Sequence, residues 1–369
     1  MNALRQFVSV SRLSLTSLAV GVGALTVAAE STLVSRQAEA EFEGLFSQDV
    51  QLVQAGLNYG QKHGRHEFAL GLAYTDYQLD YRPAPFDFLG GATDVSARRV
   101  ALQFNGHRRL GESFRLLGAA GVYEGFGNFR AVWFDEYFRQ QFSALPEYVA
   151  ASPRGFNGSV GLRWEYLPAS AFVEGTFGYL HDQISPGYEI DFAGLRRGRS
   201  DLNTFAWQVA FENVLTPWLR MRHELRLTDL TDRERRHAYQ GSLAAAAGER
   251  WVVRLTGGYT REIPTFDARY VGGSVEFTSS PGWTWLVSGR HYRDSGEIEN
   301  SLFTTATPGL TAWQAGFGLR RTWGAHALRL SVAPYFTRHE PFGIGTAFFQ
   351  NLFRDRTWVQ IQAAYSGEF

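Results

Sequence analysis

Residues 156–166 read FNGSVGLRWEY, and their apolar and polar side chains alternate with a period of two. Such alternation sends one set of side chains to each face of a β-strand, whereas a helix would mix the two sets within one turn. The two sets are Phe156, Val160, Leu162, Trp164 and Tyr166 on one face, and Asn157, Ser159, Gly161, Arg163 and Glu165 on the other. We therefore predict a strand with one apolar and one polar face.

The same alternation recurs from about residue 36 to the end of the chain. It is clear at 53–59, 68–74, 100–104, 205–211, 251–255, 313–319, 328–332 and 359–365. The segments last about 9–13 residues, which is the length of a tilted strand that crosses a bilayer. Strands in soluble proteins usually last about 5–6 residues. The pattern predicts an all-β protein whose strands span a membrane.

The connections between these segments alternate between short and long. The long ones lie near 80–96, 124–154, 182–201, 293–309 and 339–355. Short turns at one end and long loops at the other are typical of a transmembrane antiparallel up-and-down β-barrel. We count fifteen clear strands from residue 49 onward, and the alternation of loop lengths requires one more before them, for which 37–44 is the candidate. The predicted barrel has about sixteen strands, with fourteen as the alternative.

The predicted sheet must close on itself because the hydrocarbon of the membrane surrounds it. In hydrocarbon every backbone N–H and C=O needs a partner, so an open sheet edge is not tolerated. A soluble β-sandwich or propeller is the alternative, but its outward face should be polar, and here one face of the segments is almost wholly apolar. No internal repeat of about 20–50 residues, as a propeller would need, is evident.

The N-terminus has the pattern of a secretory signal. Arg5 and Arg12 form a basic region before an apolar or small run at 13–28, and residues 27–29 read VAA, a set of small residues suited to cleavage. This pattern predicts a signal peptide at 1–29 and a single barrel domain at 30–369. An N-terminal transmembrane anchor is the alternative.

Composition excludes several other classes of protein. The 369 residues carry no net charge, which argues against a nucleic-acid partner, and they contain no Cys, which removes disulfides, thiolate metal sites and Cys nucleophiles together. Aromatic residues make up 15% of the chain, and Trp and Tyr favour the membrane–water interface.

The chain ends in Phe369, with Tyr365, Ile361 and Val359 on the same parity. This ending resembles the terminal strand of bacterial outer-membrane β-barrel proteins of the porin-like class, which commonly end in Phe. The resemblance covers about the last ten residues and departs from the pattern at Gly367, where an apolar or aromatic residue is usual. It implies recognition of Tyr365 and Phe369 by the barrel-assembly machinery, and insertion into the outer membrane of a Gram-negative bacterium after secretion across the inner membrane.

Charged residues occupy the polar face of several segments at mid-strand depth. An Arg that faced lipid at the membrane centre would cost about 2–4 kcal/mol, so we predict that these residues face the lumen. The predicted lining is Arg163, Glu165, Arg220, Arg222, Glu224, Arg226, Arg254 and Arg320, with Arg269, Glu276 and Arg290 in addition. One interpretation is a charged pore wall that selects ions or anionic solutes; the other is Arg–Glu pairing that fills a closed interior. His223 falls on the apolar face of its strand, which predicts either a place in the interface belt or a bulge.

The long connection 124–154 is rich in aromatic residues. Phe134, Phe138 and Phe142 are spaced by four, as on one side of a short helix. One hypothesis is that this loop folds into the barrel and narrows it; the other is that it forms an external cap. In the first case the constriction residues would be Trp133, Asp135, Glu136 and Arg139.

These features predict a porin-like channel for passive diffusion of small hydrophilic solutes. A closed structural or surface-interaction barrel is the alternative. An outer-membrane hydrolase ranks third, because the His residues are scattered and neither a GxSxG nor an HExxH motif occurs. We expect membrane lipid, the barrel-assembly machinery and a small hydrophilic solute as partners. We expect no nucleic acid, cofactor, metal or catalytic residue.

Overall fold

The fold is a closed antiparallel β-barrel of sixteen strands, as predicted. The structure, a computed structural model, describes residues 34–81, 93–126, 154–167, 170–183, 188–191, 194–197, 201–230, 235–298, 306–340 and 353–369. The barrel strands are β1 (Val34–Phe46), β2 (Val50–His63), β3 (His66–Tyr81), β4 (Thr93–Arg109), β5 (Phe114–Gly125), β6 (Arg154–Leu167), β7 (Ala171–Gln183), β10 (Asp201–Thr216), β11 (Leu219–Leu230), β12 (Arg236–Ala247), β13 (Trp251–Glu262), β14 (Phe266–Ser280), β15 (Trp283–Asp294), β18 (Leu310–Trp323), β19 (His326–His339) and β20 (Arg356–Glu368). Two small hairpins, β8 (Tyr188–Asp191) with β9 (Gly194–Arg197) and β16 (Glu297–Ile298) with β17 (Ala306–Thr307), lie in the long connections. Within the described ranges, no helix is long and apolar enough to cross a membrane.

The barrel closes where β1 pairs with β20. Gln37 lies opposite Glu368 and Phe46 opposite Val359, so the seam runs along most of both strands. The backbone of Phe369 extends the pairing, because its N–H donates to the carbonyl of Arg36 at 3.0 Å. The first strand, predicted at 37–44, is confirmed as β1. It supplies the sixteenth member that closure requires.

The two ends of the barrel differ in the length of their connections. At the end that holds the strand termini Val34 and Glu368, which we call the turn end, the links are tight. Gly282 shows why one of them needs glycine: its φ is +82°, and a Cβ there would lie 2.3 Å from the carbonyl oxygen of Thr322. The other end, the loop end, carries the long connections that the sequence predicted.

Side chains on the outer face are apolar and exposed, which is the inverse of a soluble barrel. Val160 is 61% exposed, and aromatic residues collect towards both ends of the outer face. At the turn end these are Trp164, Tyr166, Trp251, Trp323 and Tyr365, and at the loop end Tyr74, Phe156, Tyr259, Trp313 and Phe336. An apolar band between two aromatic girdles is the surface of a barrel that spans a bilayer.

Neighbouring residues of β6 offer a test of this assignment of faces. Val160→Arg places a guanidinium against acyl chains and should lower the stability of the folded barrel by about 2–4 kcal/mol. Ser159→Arg places the same group inside the barrel and should cost far less. Unfolding of both variants in lipid bilayers, followed by tryptophan fluorescence in urea, measures the difference. Equal losses for the two variants would contradict the assignment.

A buried ion pair clamps the seam at the loop end. Asp49, in the link between β1 and β2, accepts hydrogen bonds from Arg356 at the start of β20, with Nη2 2.8 Å from Oδ2 and Nε 3.0 Å from Oδ1. Both side chains are almost fully buried, with 5% and 6% exposure. Arg354 adds a third contact, its Nη2 lying 2.9 Å from Oδ1. Burial raises the pKa of Asp49, but the hydrogen bonds and charges of the two arginines outweigh it and hold the pKa below its usual value.

Removal of this carboxylate should weaken closure of the barrel. Asp49→Ala leaves the Arg356 guanidinium buried without its partner, and we expect a loss of about 3 kcal/mol at pH 7. Because the pKa of Asp49 is lowered in the folded state, its contribution is present above the ordinary pKa of an Asp and disappears as the pH falls through the folded value. In thermal unfolding in detergent at a series of pH values, the difference between wild type and variant should therefore be full at pH 7 and should shrink as the pH falls. Glu340→Ala, which breaks an exposed pair with Arg293, is the control.

Candidate functional site: the barrel interior

The interior surface consists of the residues that alternate with the apolar outer face. The eight predicted lining residues all lie on this inward parity of their strands: Arg163 and Glu165 on β6, Arg220, Arg222, Glu224 and Arg226 on β11, Arg254 on β13 and Arg320 on β18. Glu276 and Arg290 lie on the same parity of β14 and β15. The interior of the described barrel is therefore polar and strongly charged.

Two of the predicted residues belong to a compact network near the turn end. Arg163 donates from Nε to Oε2 of Glu174 on β7 at 2.7 Å, and its guanidinium lies 4.2 Å from the ring centroid of Phe172. Glu165 is held by Arg115 of β5, with 2.5 Å between Oε1 and Nε. All four charged side chains are largely buried. Sequence reasoning missed Arg115 and Glu174. The alternation of Phe114 and Leu116 in β5 is the signal that places Arg115 inward.

The charges of β11 are only partly paired. Arg220 and Arg222 contact Glu212 of β10 at 3.2 and 3.7 Å, and Arg222 also contacts Glu224 at 3.5 Å. Arg226, two residues closer to the loop end, makes no hydrogen bond or ion pair in the described structure, and its side chain is exposed inside the barrel. Arg220 and Arg254 remain 54% and 48% exposed although each has a carboxylate partner. The interior is thus accessible to water near the turn end, at Arg220 and Arg254, and further in at Arg226.

Two outward residues need separate comment. Arg269 was predicted to line the lumen, and this is wrong: it lies on the outward parity of β14 with Val271, close to the loop end, where the aromatic girdle meets water. His223 is also outward, but the pairing of β11 with β10 and β12 is continuous around it, so the predicted bulge is absent. Its ring stacks on Phe211 with 4.7 Å between centroids, and its Nδ1 is hydrogen-bonded to Tyr239 Oη at 2.6 Å. These contacts satisfy the imidazole on an apolar face.

Part of the interior wall at the loop end is apolar, which the sequence analysis did not predict. Inward side chains of nine neighbouring strands, β14 to β4 through the seam, form one buried cluster with Phe126. Its members are Leu45, Val50, Leu52, Tyr77, Leu79, Val95, Phe126, Phe266, Ala268, Tyr292, Leu310, Ala312, Tyr335 and Trp358. We call it the loop-end cluster. The sequence does carry a signal for this cluster, because the large apolar residues of β3 change from one face to the other. They are even-numbered from Phe68 to Tyr74 and odd-numbered at Tyr77 and Leu79.

The chain turns inward as it leaves β5. Gly125 has a φ of +109°, and a Cβ there would lie 2.0 Å from the carbonyl oxygen of Arg98, so only glycine fits. The turn brings the next ring, that of Phe126, to 6.3 Å from the ring of Tyr77 inside the barrel. The predicted constriction residues Trp133, Asp135, Glu136 and Arg139 lie outside the described residues, and their place at a constriction stays a prediction.

Among the described residues, no group of three His, Asp or Glu side chains is arranged to hold a metal ion.

The turn-end network can be tested by a double-mutant cycle. Arg163→Ala should destabilise the barrel by about 3 kcal/mol, because it leaves Glu174 buried without a partner, and Glu174→Ala should act similarly. The double variant should lose less than the sum of the single losses, because neither charge is then stranded. Urea unfolding in lipid bilayers measures all three. The exposed pair Arg235–Asp229 supplies the control cycle, for which we expect a coupling below about 1 kcal/mol.

No protein-family model and no curated protein sequence matches the chain. Solved structures do match in fold. CdiB from Acinetobacter baumannii superposes with a TM-score of 0.53 at 10% identity, over 90% of this chain and 60% of that one, so this chain spans about three fifths of its length. A bacterial polysaccharide outer membrane secretin superposes with a TM-score of 0.49 at 8% identity, over 91% of this chain and 98% of that one. The Pseudomonas putida toluene transporter TodX superposes with a TM-score of 0.44 at 10% identity, over 90% of this chain and 89% of that one. The chain has the fold of bacterial outer-membrane β-barrels.

Proposed function

We propose that this protein is an outer-membrane channel through which small hydrophilic solutes diffuse passively. The observation that carries the proposal is the water-accessible charge inside a barrel whose outer face is apolar. Arg220, Arg226 and Arg254 project into the interior and remain exposed there. A lumen packed with side chains would bury such groups, whereas Arg220 and Arg254 stay about half exposed although each is ion-paired, and Arg226 is exposed without an ion pair in the described structure.

The dimensions of the barrel support the same function. Barrels of about sixteen strands enclose an aqueous channel unless an additional element fills them. The middle of the interior is lined with small or neutral polar side chains beside the charged ones, such as Gly71, Gln103, Ser159, Thr176 and Ser331. A hydrophilic solute would exchange hydrogen bonds with water for hydrogen bonds with these groups, and so would meet little resistance at this depth.

The loop-end cluster would be the main barrier in this channel. Its residues are almost inaccessible to water, whereas Arg220 and Arg254, nearer the turn end, are about half exposed. An apolar constriction resists ions because it cannot replace their hydration shell. The same observation favours a second function, a closed structural barrel that presents its loops to a partner, and the two functions differ in whether current flows.

The proposal includes a route to the membrane. The signal-like segment 1–29 lies outside the described residues, and we propose that it directs secretion across the inner membrane. Tyr365 lies on the outward face of the closing strand, followed by the exposed Phe369, where the barrel-assembly machinery could bind them. In this orientation the turn end would face the periplasm and the loop end the exterior. We propose no catalytic role.

Single-channel recording in planar bilayers tests the proposal. We expect wild type to give small conductance steps, and Tyr77→Ala to enlarge them, because it removes an inward ring from the loop-end cluster. Tyr74→Ala, on the outward face of the same strand, is the matched control and should leave the conductance unchanged. Absence of steps in wild type and in Tyr77→Ala, with both barrels folded, would reject the channel in favour of the closed barrel.

A further inference from the structure

The first strand carries a stripe of carboxylates that face the lumen. Glu39, Glu41 and Glu43 alternate with the outward Ala40 and Phe42. None of the three makes an ion pair within the described structure. Glu43 instead accepts hydrogen bonds from the side-chain amides of Gln360 and Gln362, the latter at 3.3 Å. We call these three residues the β1 stripe.

The wall beside the β1 stripe is neutral. On β2 the residues paired with Glu39, Glu41 and Glu43 are Asn58, Gly56 and Gln54. On β20 the corresponding partners are Ser366, Ala364 and Gln362. The nearest inward cation on this side is Arg329 of β19, which is separated from Glu41 by Ala364 and lies lower on the tilted ladder, towards the turn end. No adjacent strand therefore cancels the charge of Glu41 and Glu43.

Strand β11 stands directly across the barrel from β1, because it is eight strands away in either direction. Two paths of paired residues connect the two strands, each stepping from one strand to the next. The first starts at Glu39, goes by way of β2 and ends at Leu230 of β11. Its intermediate residues are Asn58, Gly71, Gln103, Gly121, Asn157, Leu180 and Thr204. The second path starts at Glu43, goes by way of β20 and ends at Trp218, directly before β11. Its intermediate residues are Gln362, Ser331, Gly318, Leu286, Glu276, Val252 and Ala246.

These two paths fix the height of the β1 stripe relative to β11. In a tilted ladder one path climbs as much as the other descends. Glu41 lies midway between Glu39 and Glu43, where the two paths start. The residue of β11 at the same height as Glu41 therefore lies midway between their ends, Leu230 and Trp218, and this residue is Glu224. By the same reasoning Glu39 is level with Arg222 and Glu43 with Arg226.

The two facing walls differ in charge. Glu224 is ion-paired with Arg222 and also attracts the charge of Arg226, so one carboxylate serves two guanidinium groups, and Arg226 makes no ion pair of its own in the described structure. At the height of Glu43 an unpaired carboxylate thus faces an unpaired guanidinium across the lumen. The backbones of opposite strands in a sixteen-stranded barrel are about 30 Å apart, given a strand spacing of about 4.8 Å. This exceeds the Debye length of about 10 Å at 0.1 M salt, so each wall acts on nearby ions almost independently of the other.

We propose that the lumen separates ions by charge, with cations held along the β1 stripe and anions held near Arg226. The proposal rests on a water-filled interior, as the proposed function does, but it concerns where ions lie and not whether they cross the membrane. It makes Glu41, Glu43 and Arg226 the residues that set ionic preference. A dipolar solute would be oriented across the lumen by the same charges.

Site-directed thiols can read the two local potentials, because the chain contains no Cys of its own. Gly56→Cys places a thiol beside Glu41, and there is room for it, because a Cβ at position 56 would have its nearest neighbour 3.8 Å away. Ala238→Cys places a thiol on β12 directly opposite Arg226 in the ladder. Each variant is treated with a cationic and an anionic methanethiosulfonate reagent of similar size, in detergent and at an ionic strength of about 0.1 M.

We expect the ratio of cationic to anionic reaction rates to be about fivefold higher at position 56 than at position 238. The difference should collapse in 1 M salt. Glu41→Gln with Glu43→Gln should abolish the cationic preference at position 56, and Arg226→Gln the anionic preference at position 238. Glu112→Gln with Glu249→Gln removes two carboxylates from turn-end links and should change neither ratio.

Equal ratios at the two positions, or ratios that survive neutralisation of the neighbouring charges, would overturn the proposal. The outcome is separate from that of the channel itself, because the thiols report from a barrel that does not conduct. Where wild type does conduct, the Glu41→Gln and Glu43→Gln variant should lower the permeability of K⁺ relative to Cl⁻ by about twofold in 0.1 M salt, and Arg226→Gln should raise it.

Discussion

The structure depends on the need of each strand for backbone hydrogen bonds along both of its edges. In water an edge can be left to solvent, but in hydrocarbon each unpaired N–H or C=O costs several kcal/mol. The seam between β1 and β20 removes the last two edges. Once the ring is closed, every second side chain must face lipid and every other one must face the interior. The apolar outer band and the charged lumen follow from that division.

Much of the fold is visible in the sequence because alternation is a local property. FNGSVGLRWEY specifies β6 with its faces, and the loop lengths require a first strand that the structure provides as Val34–Phe46. The errors arise at the strand ends. Arg269 lies where an outward residue reaches water, so its charge says nothing about its face. Tyr77 and Leu79 lie where apolar residues change to the inward parity, because on this side of the barrel the interior near the loop end is apolar.

The partners within the lumen were beyond sequence reasoning for a different reason. Arg163 meets Glu174 across a turn, which local pairing could suggest, but the position of Glu43 relative to Arg226 depends on the register of every strand between them. A shift of one pairing would change the height of all that follow. The interior therefore combines charges neutralised by neighbours, which stabilise the wall, with a few charges left to solvent, which act on whatever enters.

The clamp between Asp49 and Arg356 has a geometric consequence. These residues are 307 positions apart in the chain and meet only when the ring is complete. A slip of β1 by two residues along β20 would keep each side chain on its proper face, so hydrophobicity alone does not forbid it. Such a slip would alter the stagger of the barrel, and with it the tilt of its strands and the width of its bore. By favouring one register at the seam, the Asp49–Arg356 pair contributes to setting the diameter of the whole barrel.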